Sequence, residues 1–285
     1  MLSPEEKKYI SDRAYVPEHI LNLMIPISKG EPSLTRDYIY FSKDNWIIFI
    51  GYPLSRDFAP EDLKKTIDSV IKKRQPEYVW LIAPEIPDSL APSCRGRGSD
   101  QYYKLELSGL KPKKDLIRLV RRASKDLIIE KGRSISKEHT ELISEFMKKE
   151  KPNPLIREHF LSMQEYVRQS ETAAVLNALD KKDRLSAFYV VELGAADFAT
   201  YVVGCYSRKN YVPNASDLLF SEMITLAQND GKGYINLGLG VNEGIRRFKE
   251  KWGGIPFLRY EFCEFRPSGS HINIFQMIKR LGPKL

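Results

Sequence analysis

Metal- and disulfide-forming residues are scarce in this chain of 285 residues. It has three cysteines, Cys94, Cys205 and Cys263, and four histidines, His19, His139, His159 and His271. No two cysteines form a Cys-x-x-Cys pair and the histidines show no ligand spacing. This pattern predicts no disulfide framework, no zinc site and no metal. Cys205 and Cys263 fall in strand-like runs and are expected as small core residues, and Cys94 as an exposed loop thiol. No apolar run reaches the roughly 20 residues of a membrane helix, and no signal peptide opens the chain. Stable membrane insertion is therefore not expected, and the reading is a cytoplasmic protein with at most peripheral contact at a membrane. No residue-level repeat is visible, and no basic patch is interleaved with aromatic residues as in a nucleic-acid-binding module.

The chain carries a net charge of +8, with 42% hydrophobic and 29% charged residues. That is ordinary for a globular protein, long enough for two domains. The positive balance favours acidic partners: a phosphate-bearing cofactor, tRNA or anionic headgroups.

The most informative stretch is residues 234–256. An apolar run at 234–239 reads as a strand entered through Gly231-Lys-Gly. Gly238 and Gly240 let the backbone bend or admit a close neighbour. Asn242 is expected to cap a helix with Ile245, Phe248 and Trp252 on one face, stopped by Gly253-Gly254 and Pro256. A strand end that opens onto a helix N-terminus is a common ligand position. Lys249, Arg246 and Arg247 lie beside it.

Elsewhere, one or two helices are expected in residues 1–30, the clearer at 17–24 and broken at Pro26. A hairpin is expected at 38–50, a helix from Pro60, a strand at 78–82, a helical turn at 84–90 and a strand at 102–107. A basic amphipathic helix follows at 111–125, then a short strand at 127–130 and two helices opened by Ser136 and Pro154. Three strands at 172–179, 185–193 and 198–205 fit an antiparallel meander. A helix at 216–229 precedes the 234–256 stretch, and a long strand at 256–265 and a tail helix at 274–281 close the chain. The element order of residues 38–107 recurs over 172–265. This argues for an α/β (α+β) protein of two similarly built domains, residues 1–110 and 127–285, joined by a basic linking helix at 111–126.

Five segments together carry a family resemblance: Arg118 to Lys125, Gly204-Cys-Tyr-Ser, Tyr211-Val-Pro-Asn-Ala-Ser, Gly231-Lys-Gly-Tyr-Ile-Asn-Leu-Gly and Gly244-Ile-Arg-Arg-Phe-Lys-Glu-Lys-Trp-Gly. In order and spacing they resemble tandem GNAT acyltransferases of the FemABX type and the related C-terminal domains of phosphatidylglycerol lysyltransferases. The likeness covers residues 115–265 closely and the first 110 by element order.

The resemblance implies two GNAT-like domains, each a mixed, largely antiparallel sheet flanked by helices. It implies a donor that is acyl-CoA or aminoacyl-tRNA and an acceptor that is an amine or a lipid hydroxyl. Lys249 would stand near the donor's phosphate or acyl ester, with Arg246 and Arg247 nearby and Asn214, Ala215 and Ser216 as a phosphate-facing turn. Glu192, Tyr211 and Tyr260 are the candidate bases. The chain departs from the pattern at Asn236, where relatives carry an acid, and at Pro213-Asn214, where Pro-Gly is expected. The glycine-rich pyrophosphate loop is absent. A non-catalytic binding module of the same fold is the alternative reading.

Overall fold

The computed structural model describes residues 2–152 and 154–267, with no account of the side chains of residues 154 and 155. The tail helix expected at 274–281 lies outside the described residues.

Eleven strands form one sheet: β1 (Glu31–Thr35), β2 (Tyr38–Lys43), β3 (Trp46–Ile50), β4 (Tyr78–Ala83), β5 (Gly96–Glu106), β6 (Leu127–Gly132), β7 (Ala173–Asp180), β8 (Leu185–Glu192), β9 (Phe198–Tyr206), β10 (Tyr234–Leu239) and β11 (Ile255–Phe265). Their order across the sheet is β1-β2-β3-β4-β11-β5-β10-β9-β8-β7-β6. Neighbours are antiparallel except β3–β4 and β9–β10, which run parallel. A parallel pair needs a crossover. Helix α3 (Pro60–Arg74) supplies the first and α8 (Ala215–Asn229) the second.

The remaining helices are α1 (Pro4–Arg13), α2 (Leu21–Ser28), α4 (Lys114–Ala123), α5 (Lys137–Glu150), α6 (Pro154–Leu161), α7 (Met163–Gln169) and α9 (Glu243–Lys251). They cover both faces, as a sheet with two apolar faces requires. In the second half, α4 and α8 close one core with Leu105, Leu219, Met223 and Trp252. On the opposite side α2, α5 and α7 close another with Leu142, Tyr166, Phe188 and Phe198.

β11, the last strand described, lies between β4 and β5, and β5 in turn reaches β10. The two halves of the sequence are thus interleaved in the sheet.

Several expectations need correction. Cys94 and Cys263 form a disulfide with a Cα–Cα distance of 5.5 Å, leaving Cys205 as the free, buried thiol. Sequence spacing hid this pair because the β5–β11 ladder brings the two cysteines together across 169 residues. The helix expected at 17–24 divides into a single 3-10 turn, Pro17–His19, and α2, which runs through Pro26 to Ser28. Pro26 leaves the Asn22 carbonyl without its usual partner four residues on, and the helix ends within one turn at the left-handed Lys29, φ 58°. The turn expected at 84–90 is displaced to Ala91–Ser93, and β5 begins at Gly96 rather than 102. The edge strand β1 carried no alternation to betray it, and the helix opened by Pro154 is two, α6 and α7.

Candidate functional site

The parallel strands β9 and β10 pair at three positions, Phe198 with Tyr234, Ala199 with Ile235 and Thr200 with Asn236, and then stop. Thr200 Oγ1 donates to the Asn236 carbonyl at 3.2 Å, the last link between them. Beyond it both strands bulge. On β9, Val190 faces Val203 but Val191 faces Tyr201, so Val202 is an extra residue. On β10 the register to β5 shifts between Asn236 and Leu239, where Gly238 takes φ 72° and donates its N–H to Asn236 Oδ1 at 2.9 Å. A bulge bends its strand and frees backbone groups from the ladder. Two bulges at one level turn the strands apart.

A cavity of about 340 Å³ fills the opening. Tyr189, Tyr201, Phe220, Leu237 and Phe248 wall it, and Ser216 stands at the start of α8 on its rim. Tyr189 donates its hydroxyl to the Ser216 carbonyl at 3.1 Å and meets Tyr201 edge-on at 5.0 Å. Gly204 completes this wall. A Cβ there would stand 2.5 Å from Tyr189 Cδ1 and 2.6 Å from the Tyr201 hydroxyl, so only glycine leaves both rings in place.

Lys249 closes one side. Its helix begins as expected, with Asn242 Oδ1 accepting from the Ile245 N–H at 2.9 Å, a cap that contributes about 1 kcal/mol. Trp252, one turn from Lys249, anchors the helix. Its ring packs 4.9 Å from Phe220 and its indole N–H donates to Asp217 Oδ1 at 2.9 Å. Lys249 is consequently drawn inward and is only 5% exposed. Its ammonium donates to the Leu239 carbonyl oxygen and lies 5.5 Å from the Tyr103 ring centre. Burial lowers its pKa to about 8, against the opposing pull of Asp100.

Asp100 was not visible as a site residue in the sequence. Its carboxylate accepts from the N–H groups of Gln101, Gly240 and Val241, at 2.7, 3.2 and 2.8 Å, and so holds the loop that follows Leu239. It lies in a Gly-, Arg- and Ser-rich run with loop composition, and no local signal marks it. Beside it a polar hollow of about 370 Å³ is lined by Gln101, Tyr103, Arg246 and Arg259.

The other expected site residues separate. Asn214 adopts φ 64° and its carbonyl accepts from the Leu218 N–H at 3.0 Å, opening α8, but its side chain makes no cap bond. Ala215 is buried, and its N–H donates to the Val212 carbonyl at 3.4 Å. Ser216 reaches the cavity. Arg246 faces the polar hollow, while Arg247 points to solvent and pairs with Glu243. Tyr211 is 59% exposed, its ring edge-on to Tyr206 at 6.2 Å. Tyr260 packs 5.5 Å from Tyr102 in the first half. Glu192 is fully buried away from the cavity. It accepts from Tyr166, Thr172, Ser170 Oγ at 3.0 Å and the Gly194 N–H at 2.7 Å, which saturates it. None of the three candidate bases lines the cavity.

Among the described residues, no group of three or more His, Cys, Asp or Glu side chains could hold a metal, and no helix is long and apolar enough to cross a membrane.

No protein-family model and no curated protein sequence matches the chain. Solved structures do. FemX superposes with a TM-score of 0.62 at 11% identity, covering 98% of each chain. L-PGS from Bacillus licheniformis gives 0.58 at 14% identity over 98% of this chain and 96% of that one. A tandem GNAT protein from the clavulanic acid biosynthesis pathway gives 0.52 at 11% identity over 92% and 94%. At such identities the likeness speaks for the fold alone, and the chain shares the overall GNAT-like fold of these structures, the last of them a tandem GNAT protein.

Proposed function

We propose that the protein is an acyl- or aminoacyl-transferase whose donor, an acyl-CoA or an aminoacyl-tRNA, seats its reactive end in the cavity between β9 and β10. The observation that carries this reading is the buried Lys249, its ammonium held by the Leu239 carbonyl, lining an apolar cleft at the point where two parallel strands part. The acceptor is an amine or a lipid hydroxyl. FemX and L-PGS share the fold, and Ser216, one residue of the expected phosphate-facing turn, lines the cavity.

Such a transfer asks little covalent help of the protein. The acceptor nitrogen or oxygen attacks the carbonyl carbon of the thioester or ester, the C–S or C–O bond breaks, and the leaving thiolate or alkoxide takes up the acceptor's proton. The protein must hold the two reactants in line and stabilise the oxyanion that forms. Lys249, desolvated and held by the Leu239 carbonyl, offers a positive charge with little reorganisation. The acceptor's proton can pass to the leaving group itself, and Glu145 and Glu150, which line the cavity, offer two further carboxylates to receive it.

The test is transfer from labelled acetyl-CoA and from charged tRNA with the intact chain and with Lys249→Met. Loss of transfer in a folded variant supports the reading; a fully active Lys249→Met protein would falsify it.

A further inference from the structure

A second cleft, of about 440 Å³, opens on the sheet at the start of β10, where the two halves of the chain meet. Its floor is aromatic: Tyr234 and Phe257 meet edge-on at 6.0 Å, and Tyr15 and Tyr52 form a wall at 6.1 Å from one another. Lys104 holds its ammonium 5.7 and 5.6 Å from the Tyr234 and Phe257 ring centres, and Glu106 neutralises it.

Two further charges line this cleft, and neither has an ionic partner among the described residues. Arg56, in the loop after β3, takes the left-handed φ of 69° and lays its guanidinium over Tyr15 at 5.0 Å. Asp197, in the turn before β9, stands on the side supplied by the second half. A Cβ at Gly233 would lie 2.8 Å from Asp197 Oδ1, so that glycine leaves the carboxylate its place. Both charges act on one group, the Tyr234 hydroxyl: Asp197 raises the phenol's pKa and Arg56 lowers it, while burial raises it most. Yet they form no ion pair with each other. A positive and a negative group held apart above apolar rings match a ligand with the opposite arrangement.

We infer that this cleft binds a free α-amino acid with an aromatic or aliphatic side chain, its carboxylate on Arg56, its ammonium toward Asp197 and its side chain against Tyr234 and Phe257. Neither unpaired charge belongs to the transferase site, and the binding does not depend on any transfer reaction. A ring floor and two opposed charges also predict selectivity. A ligand that lacks either charge leaves one wall unmatched, and a polar side chain gains nothing from the floor.

The experiment is isothermal titration calorimetry of the full chain with L-phenylalanine, L-tyrosine and L-leucine, and with 3-phenylpropionate and 2-phenylethylamine, which each keep one charge. At least one amino acid is expected to bind, and the single-charge analogues to bind about tenfold more weakly or worse. Arg56→Gln and Asp197→Asn, both at exposed positions, should each weaken the amino acid about tenfold while the melting temperature holds. Absence of heat with all three amino acids at millimolar concentration overturns the inference. So does equal affinity for a single-charge analogue, or unchanged affinity in both variants.

Discussion

Lys249 reaches back from α9 to donate its ammonium to the carbonyl oxygen of Leu239, the last residue of β10. The bond ties the helix to the strand end just where β10 has left β9. It also keeps a cation in a place that burial disfavours, which makes the residue the most informative single position in the cleft.

Replacing Lys249 by methionine keeps the chain length and removes the charge. Transfer is expected to fall about a hundredfold or more, the scale of losing one oxyanion donor. The pH dependence follows from the lowered pKa. Unfolded Lys249 titrates near 10.5 and folded Lys249 near 8. Between these values the unfolded chain holds the extra proton, so the stability contributed at this site rises with pH. Below about 8 the wild type carries the full cost of a buried ammonium, roughly 3 kcal/mol. The stability gap between wild type and Lys249→Met, measured by urea melts, should therefore narrow from pH 7 to pH 10. A constant gap would contradict the burial argument. Transfer itself should decline as pH rises through about 8 if the ammonium is the active form.

The Cys94–Cys263 bond closes a very long loop. Thiol titration of denatured, unreduced protein should count one cysteine, and three after reduction. Reduction should destabilise the fold by about 2–5 kcal/mol, read as a lower melting temperature in dithiothreitol. Three thiols before reduction would rule the bond out.

Glu192 is a structural acid. Glu192→Ala strands the hydroxyls of Tyr166, Ser170 and Thr172, which it now accepts from, and should cost about 3 kcal/mol of stability. Below its melting temperature the variant should retain transfer. Loss of chemistry with unaltered stability would restore it as a base.

His19 is fully buried and neutral. Its Nε2–H donates to the Tyr52 carbonyl at 2.9 Å, and burial lowers its pKa to about 3. The unfolded histidine takes up a proton near 6.5, so the stability it contributes is complete above that pH and is lost as pH falls toward 3. His19→Gln should flatten the acid limb of the stability curve between pH 6 and 4. An unchanged limb would assign acid unfolding to other groups.

The features legible in the sequence are those that rest on near neighbours. Asn242 as a cap, Trp252 on the buried face and the meander of β7 to β9 follow from spacings of a few residues. So does the position of Lys249 in the short helix that Asn242 caps. The illegible features are pairings across the chain. Asp100 meets Val241 over 141 positions and Cys94 meets Cys263 over 169. Glu192 reads as a free strand carboxylate until the turn at Ser170 to Thr172 folds against it. β1 was missed because its pattern of partial burial at the sheet edge lacks the alternation of an inner strand.

The interleaved sheet also dictates what can happen while the chain is still on the ribosome. β4 acquires its second neighbour, and β5 its first, only when residues from 234 onward have been made. For more than half of synthesis the opening portion of the protein therefore presents an unfinished strand edge, the kind of surface that invites wrong partners. A fragment ending at α4 would lack the strand that seals it, and the complementary fragment would lack β5. Neither piece is expected to be soluble alone, but the two produced together should find each other and rebuild the sheet.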